Sequence, residues 1–124
     1  MDQVLAISVG AILGANARYW LGLWLNRTLM TNLPIGTLAV NWSGSLALGL
    51  FMVLATERVP LSPQWRLAIA VGFLGFYTTF STFSYETVRL ATGGSWLLAL
   101  ANAMLSIAGG FAGAWLGGYL ARIL

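Results

Sequence analysis

A stretch of small, hydroxyl-bearing and aromatic residues, GFLGFYTTFSTFSYE, occupies positions 72–86 of the chain. Gly75 loosens a helix, and Thr78 and Thr79 carry β-branched hydroxyl side chains that compete for backbone carbonyls. A break between Gly75 and Thr79 would leave carbonyl and N–H groups without helical partners. In discontinuous helices, such carbonyls bind cations, and the N–H groups at a helix N-terminus bind anions. The segment therefore predicts a discontinuous helix that can bind ions.

Two phenylalanines follow this break on one helical face, because Phe80 and Phe83 are three residues apart. An aromatic ring has a positive edge, so two rings presented edge-on can favour a small anion without holding a full charge. Spacing alone favours the simpler interpretation that both rings are packing residues. Ser81 and Ser84 form a second pair at the same spacing, offset by one position.

The composition places these residues in a membrane protein. Hydrophobic residues make up 59% of the 124 positions and charged residues only 7%, whereas soluble domains carry about a quarter charged residues. Four apolar blocks are each long enough for a hydrocarbon core of roughly 30 Å. We therefore expect a single all-α domain, residues 1–124, that spans a lipid bilayer with helices at about 4–25, 35–55, 67–90 and 96–120. The predicted break lies near the middle of the third helix.

The residue inventory argues against catalysis and nucleic-acid binding. The chain has no cysteine and no histidine, which removes the commonest metal ligands and the commonest general base. Its net charge of +3 comes from arginines spread along the chain, which is not the clustered pattern of a nucleic-acid patch. We expect no organic cofactor and no nucleic-acid partner, and the chain to be no enzyme.

The arginines barely define an orientation in the membrane. With four spans, Arg58, Arg66 and Arg122 share one side, and Arg27 and Arg89 lie toward the other. An excess of basic residues on the cytoplasmic side normally fixes topology. The small difference in arginine count leaves two interpretations open. Either a single arginine determines the orientation in the membrane, or the chain inserts in both orientations and forms an antiparallel homodimer.

Several polar residues lie within the apolar blocks. Asn41 needs a hydrogen-bonding partner or water at its depth, and it can bond a neighbouring helix or face a pore. Arg18 is costly within the first block unless it is paired, hydrated or extended to the interface. Glu86 precedes Arg89 by three residues, which suggests a helical ion pair, with a proton-carrying carboxylate as the alternative.

The last block carries a stripe of small residues at Gly109, Gly113 and Gly117, and the first block repeats the pattern at Gly10 and Gly14. Small residues let helix backbones approach closely in lipid, so these glycines predict helix packing. Asn102 and Ser106 continue the stripe of the last block, where they either join helices or line a polar track.

Three motifs carry a resemblance to a known family: GAILGANARY, GTLAVNWSGS and GFLGFYTTFSTFS, in this order. Together they make the sequence similar to the Fluc (CrcB) family of bacterial fluoride channels over essentially its whole length. The resemblance implies a dual-topology homodimer of antiparallel subunits in the bacterial inner (plasma) membrane. It also implies two fluoride pathways per dimer, through which cytoplasmic fluoride leaves passively down its electrochemical gradient.

The resemblance also implies roles for individual residues. Phe80 and Phe83 would present ring edges to fluoride, and Asn41 would be a pore-facing amide donor. Gly75 and Thr78 would offer backbone carbonyls to a structural sodium ion at the dimer centre. Arg18 would lie near the vestibule. Hydroxyl groups along or beside the ion path would come from Ser81, Thr82, Ser84 and Ser106.

One position departs from the family pattern, since Phe76 follows Gly75 where the family usually has a second glycine. A bulky residue there weakens the sodium assignment, and Phe76 with Tyr77 would instead face the dimer interface. The main alternative function is a proton-coupled exporter of the small multidrug-resistance type, which should carry a glutamate in its first span. This span has no acidic residue beyond Asp2. A non-transporting assembly subunit would leave the TTFSTFS segment unexplained.

Overall fold

The computed structural model describes residues 2–124, which form helices and connections without any β-strand. Helix α1 spans Asp2–Thr28. Helix α2 spans Ile35–Val53 and continues as a π-helical turn over Leu54–Arg58. Helix α3 consists of three contiguous pieces, Pro63–Arg66, the π-helical Leu67–Leu74 and Gly75–Tyr77. Helices α4 and α5 span Phe80–Thr92 and Trp96–Ile123.

Four helical segments are long and apolar enough to cross a membrane. They are Asp2–Thr28, Ile35–Arg58, Pro63–Thr92 and Trp96–Ile123. Each contains the corresponding apolar block and is longer than it, because polar residues at the ends continue the helices beyond the hydrophobic run. The expectation of an all-helical chain with four candidate spans is thus confirmed.

The third span is interrupted halfway along its length. Helix α3 ends at Tyr77 and α4 begins at Phe80, while Thr78 and Thr79 have extended backbone angles (ψ of 157° and 116°). The Thr78 N–H still donates to the Leu74 carbonyl, so α3 closes regularly. Thr79 caps α4, since its hydroxyl accepts from the Thr82 N–H at 3.3 Å.

The ends of the spans follow from local sequence. Ser62 caps α3 and Pro63 occupies its first turn, where a missing N–H costs nothing. After α4 the chain turns at Gly94, whose φ of 88° is the left-handed conformation that glycine adopts without strain. The Ser95 N–H then closes back on the Leu90 carbonyl at 2.9 Å, so α5 can return antiparallel to α4.

Glycines allow the helices to pack backbone to backbone. Gly10 and Gly14 of α1 lie against the main chain of α3 at Ala68 and Phe73. Gly109, Gly113 and Gly117 of α5 lie against α2, which confirms the packing interpretation of both glycine stripes. The most extensive helix contacts are accordingly α2 with α5 and α1 with α3. Large apolar side chains point outward toward the lipid, and the buried core is built from small residues and a few larger ones.

The arginines of one membrane side meet at one end of the bundle. Arg58 donates to the carbonyl of Arg122 at 2.7 Å, and Arg122 forms an exposed ion pair with Glu57 at 3.5 Å. Arg66 donates to the carbonyl of Ala55. These contacts join the π-helical end of α2 to the start of α3 and to the end of α5.

Gly117→Ala tests the backbone contact between α2 and α5. The added methyl would meet the Leu46 carbonyl and the Leu50 amide, which are main-chain atoms that cannot move away cheaply. We expect the free energy of unfolding to fall by about 1–3 kcal/mol, the usual cost of overpacking. Denaturant titration of the purified protein in detergent measures it.

Gly22→Ala is the matched control, because a methyl group there meets nothing within 4 Å. Alanine also favours helix over glycine, so its stability should equal or exceed that of the wild type. Equal stability of the two variants would contradict the close packing described for Gly117.

Candidate functional site

The side chain of Asn41 on α2 contacts the backbone of the interruption in the third span. Its amide oxygen accepts from the Thr79 N–H at 2.7 Å, and its amide nitrogen donates to the Thr79 carbonyl at 3.0 Å. Extended residues cannot make helical hydrogen bonds, and hydrocarbon offers no replacement partners. Asn41 therefore satisfies both backbone groups of Thr79, using one of its two N–H donors and leaving the other without a partner within residues 2–124.

A groove of about 450 Å³ opens on one side of this interruption. Its walls come from α2, from the segment that connects α3 with α4, from the first turn of α4, and from α5. Four of the predicted pore residues line it: Asn41, Phe80, Phe83 and Ser106. The other lining residues are mostly small or apolar: Gly44, Ser45, Leu48, Thr78, Thr79, Ile107, Gly110, Phe111 and Ala114.

The two phenylalanine rings lie side by side on α4. Their centroids are 5.7 Å apart and their planes are inclined by 58°, so they are tilted and not stacked. Phe83 is half-buried, whereas Phe80 is 79% exposed. The spacing in the sequence thus correctly placed both rings on one face, and the ring of Phe80 extends from the protomer.

A second, smaller cavity of about 110 Å³ lies on the other side of Thr79. Arg18 lines it together with Thr79 and Thr82. The remaining walls come from α1 and the first turns of α2, at Gly22, Asn26, Gly36, Thr37 and Val40. Arg18 therefore lines a pocket that also contains polar residues. Such surroundings reduce the cost of a charged side chain within the first span.

Glu86 is bonded to α2. Its Oε1 accepts from the Thr37 hydroxyl at 2.9 Å, and its Oε2 is buried without a hydrogen-bonding partner among residues 2–124. The predicted ion pair with Arg89 is wrong for the described part of the chain, in which Arg122 and Glu57 form the ion pair. The reason is orientation, since Glu86 turns inward toward α2 while Arg89 is exposed.

The predicted hydroxyl residues divide between different surroundings. The Thr82 hydroxyl accepts from Thr79, so it belongs to the cap of α4 as well as to the smaller cavity. Ser84 donates to the Phe80 carbonyl of its own helix, and Ser81 is exposed. The Ser106 hydroxyl is buried, has no partner among residues 2–124 and lines the groove. Only Ser106 is thus brought to the phenylalanines in this protomer with a free hydroxyl group.

Gly75 and Thr78 lie at the end of α3, where a helix leaves its last carbonyls without intrahelical partners. Gly75 is exposed, and a methyl group added to it would meet only the Ala70 carbonyl at an ordinary 3.6 Å. Packing within the protomer therefore does not require glycine at this position.

Phe76 and Tyr77 behave differently from one another. Phe76 is 47% exposed, in keeping with a position on an outer face. Tyr77 is buried within the protomer, where it stacks on Phe73 with centroids 5.9 Å apart and its hydroxyl bonds Ser43 at 2.8 Å. The expectation that both residues face an interface is wrong for Tyr77, because α2 offers it a polar partner.

Asn102 is the most deeply buried polar residue of the chain, at 1% exposure. Its amide nitrogen donates to the Thr87 hydroxyl at 2.8 Å, and its amide oxygen has no partner among residues 2–124. Asn102 thus joins α5 to α4, the first of the two interpretations left open by the sequence.

Sequence reasoning missed three of these residues. Thr37, Ser43 and Thr87 each supply the partner of a residue that had been singled out, namely Glu86, Tyr77 and Asn102. A hydroxyl residue in an apolar block was the available signal. Pairing it with the right partner required the helix arrangement.

The fold and the site define a small multi-pass membrane protein whose polar side chains gather around an interrupted helix in the middle of the bundle. A family model described as CrcB-like protein, Camphor Resistance (CrcB), matches residues 5–118. The chain belongs to the CrcB family.

Curated relatives match along almost the whole chain. A protein from Roseiflexus sp. (strain RS-1), named fluoride-specific ion channel FluC, is 47% identical over 122 residues, covering 98% of each chain. A protein of the same name from Solibacter usitatus (strain Ellin6076) is 47% identical over 120 residues, covering 97% of this chain and 98% of its own. A third, from Sulfurihydrogenibium sp. (strain YO3AOP1), is 44% identical over all of both chains.

These relatives confirm the resemblance to the Fluc (CrcB) family. Because they are named as channels, they also confirm the expectation that the chain is no enzyme. Together with the four candidate spans, they identify a multi-pass bacterial membrane protein.

Thr87→Val tests the buried contact between α4 and α5. Valine has the shape of threonine but cannot accept from Asn102, whose amide would then be buried with neither end bonded. We expect the free energy of unfolding in detergent to fall by about 1–3 kcal/mol, the cost of a buried unsatisfied group. Thr92→Val is the control, because Thr92 is exposed and bonds only carbonyls of its own helix. Equal effects of the two substitutions would contradict a structural role of Asn102.

Proposed function

We propose that the chain is a fluoride-selective ion channel that lets cytoplasmic fluoride leave the cell passively. The observation that carries the proposal is the groove beside the helix interruption, which Asn41, Phe80 and Phe83 line together. The name shared by the relatives at 44–47% identity gives the ion. A small multidrug-resistance exporter receives no support from these names.

The chemistry of the groove suits a small, strongly hydrated anion. Such an ion gives up water only where donors replace it, and the groove offers the second N–H of Asn41 and the Ser106 hydroxyl. The positive edges of Phe80 and Phe83 add favourable electrostatics without a full positive charge that would trap the ion. Weak, multiple contacts of this kind allow an ion both to enter and to leave.

No energy source beyond the membrane potential is needed for this export. A potential that is negative inside drives an anion outward with about 2.3 kcal/mol per charge per 100 mV. The chain needs only to provide a selective path.

We further propose that two antiparallel copies form the conducting unit, with two pathways. The groove of one protomer is open, and the ring of Phe80 is 79% exposed beside it, so a second copy is the natural cover. The near balance of arginines on the two sides supports insertion in both orientations. Antiparallel copies would each add residues to both pathways.

A sodium ion at the centre of this dimer is part of the proposal. The carbonyls of Gly75 and Thr78 fit a hard cation, because they are oxygen donors at the negative end of α3. Two copies would supply four such carbonyls. The bound ion would neutralise the facing helix ends and so hold the two protomers together.

Fluoride efflux from liposomes that contain the purified protein tests the function. A fluoride electrode should record rapid release from vesicles loaded with potassium fluoride, whereas a chloride electrode should record retention in parallel vesicles. Valinomycin must be added so that potassium leaves with the fluoride and the charge balances. Retained fluoride under these conditions, with sodium present and the protein intact by gel filtration, would refute the proposed channel.

Phe80→Ile and Phe83→Ile test the role of the rings. Isoleucine keeps the apolar character and removes the positive ring edge, so fluoride efflux should fall about tenfold, the effect of about 1.4 kcal/mol on a barrier. Phe51→Ile is the control, since Phe51 is half-buried on α2 and lies outside the groove. Wild-type efflux in both groove variants would exclude the ring-edge mechanism.

Gly75→Ala tests the dimer centre. The protomer tolerates the methyl group, but two facing copies would bring it to the proposed sodium site. We expect dimerisation in nanodiscs, counted by single-molecule photobleaching, to weaken about tenfold, which corresponds to 1.4 kcal/mol. Gly22→Ala should dimerise as the wild type does. An unchanged dimer fraction for Gly75→Ala, at low as well as high sodium, would contradict the proposed arrangement.

A further inference from the structure

We propose that Asn41 is a positioning residue: it holds the interruption of the third span in its extended form by bonding both backbone groups of Thr79. Its consequence for conduction rests on the function proposed above. The positioning itself is a property of the fold and can be measured without any ion.

The two hydrogen bonds replace what the helix gives up. Thr79 has φ of −151° and ψ of 116°, the angles of a β-strand, so its N–H and carbonyl point away from the helical ladder. The Asn41 amide presents an acceptor at 2.7 Å and a donor at 3.0 Å, in the paired arrangement that a neighbouring strand would offer. No apolar side chain can satisfy either group, and a side chain with a single function can satisfy only one.

The position of Thr79 sets the position of the groove residues. Thr79 is the cap of α4, and its hydroxyl bonds both the N–H and the hydroxyl of Thr82. Phe80 is the next residue, and Phe83 follows one turn later on the same face. Fixing the backbone of Thr79 therefore fixes where α4 begins and where the two rings point.

Helix α2 supports the segment on both sides of the interruption. Ser43 bonds the hydroxyl of Tyr77, the last residue of α3, and Asn41 bonds Thr79. Gly44 of the same helix is buried against the Thr78 methyl group and the Tyr77 ring, where a larger residue would force the segment away. Asn41 is thus held at bonding distance by close packing of α2 with the same segment.

The experiment follows Thr79 by nuclear magnetic resonance in the full-length, isotope-labelled protein. Hydrogen exchange of the Thr79 amide reports the bond to the Asn41 oxygen, and the carbonyl ¹³C shift of Thr79 reports the bond to the Asn41 nitrogen. In the wild type, the Thr79 amide should exchange slowly although it lies outside any helix. Exchange at the rate of an open loop would refute the proposal without any variant.

Asn41→Ala and Asn41→Asp separate the two bonds. Alanine removes both, so the Thr79 amide should exchange about tenfold faster or more and the carbonyl shift should move. Ionised aspartate keeps the acceptor but has no donor, so at a pH where the carboxyl is ionised the amide should stay protected while the carbonyl shift moves as in the alanine variant. A structural defect elsewhere would not produce this split.

Ser43→Ala is the matched control, because it removes a side-chain bond from the same helix to the same segment. Exchange of Thr79 should stay within about twofold of the wild type in this variant. If Asn41→Ala does not fold, the aspartate variant and the wild type still decide the question. Unchanged exchange of Thr79 in a folded Asn41→Ala protein would overturn the proposal.

Fluoride efflux measured on the same samples keeps this proposal separate from the proposed function. Slow Thr79 exchange in a wild type that does not conduct fluoride would retain the positioning role and reject the channel. Rapid efflux in a wild type with an unprotected Thr79 amide would retain the channel and reject the positioning role.

Discussion

The constraint on which this structure depends is that a chain in hydrocarbon must bond all its backbone polar groups within the protein. An interruption in the middle of a span breaks that rule unless a side chain replaces the lost partners. Here α3 closes through the Thr78 N–H, α4 opens on the Thr79 hydroxyl, and the Asn41 amide bonds the N–H and the carbonyl of Thr79. Helix α2 must therefore run close beside the interruption, and the glycines along its contacts permit that approach.

The interruption divides the polar space of the protomer into two unlike parts. Thr79 borders both the small cavity lined by Arg18 and the larger groove lined by Phe80 and Phe83. The first has a full positive charge and several hydroxyls, whereas the second has an amide, a free hydroxyl and ring edges. This difference suits the proposed channel, in which the small cavity would attract an anion and the groove would bind it weakly.

Much of this arrangement could be predicted from the sequence, and the limits have a physical origin. The apolar blocks placed the four candidate spans, and helical spacing placed Phe80 beside Phe83 and the glycine stripes at helix contacts. Hydrogen-bonding partners from distant parts of the chain could not be predicted from the sequence, because each pair depends on how the helices are rotated relative to one another. Glu86 bonds Thr37, which lies 49 positions away in the sequence. The hydroxyl of Tyr77 bonds Ser43, which lies 34 positions away.

The backbone contacts along the glycines also bear on the thermodynamics of folding. Ordering a long side chain costs rotamer entropy, and a contact made by main-chain atoms and glycine has almost none to lose. Lipid provides no hydrophobic force between helices, and little apolar surface passes from water into the protein as these contacts form. The heat-capacity change that curves the stability of soluble domains comes from such transfer. Association of these helices should consequently depend on temperature far less steeply than the packing of a water-soluble core.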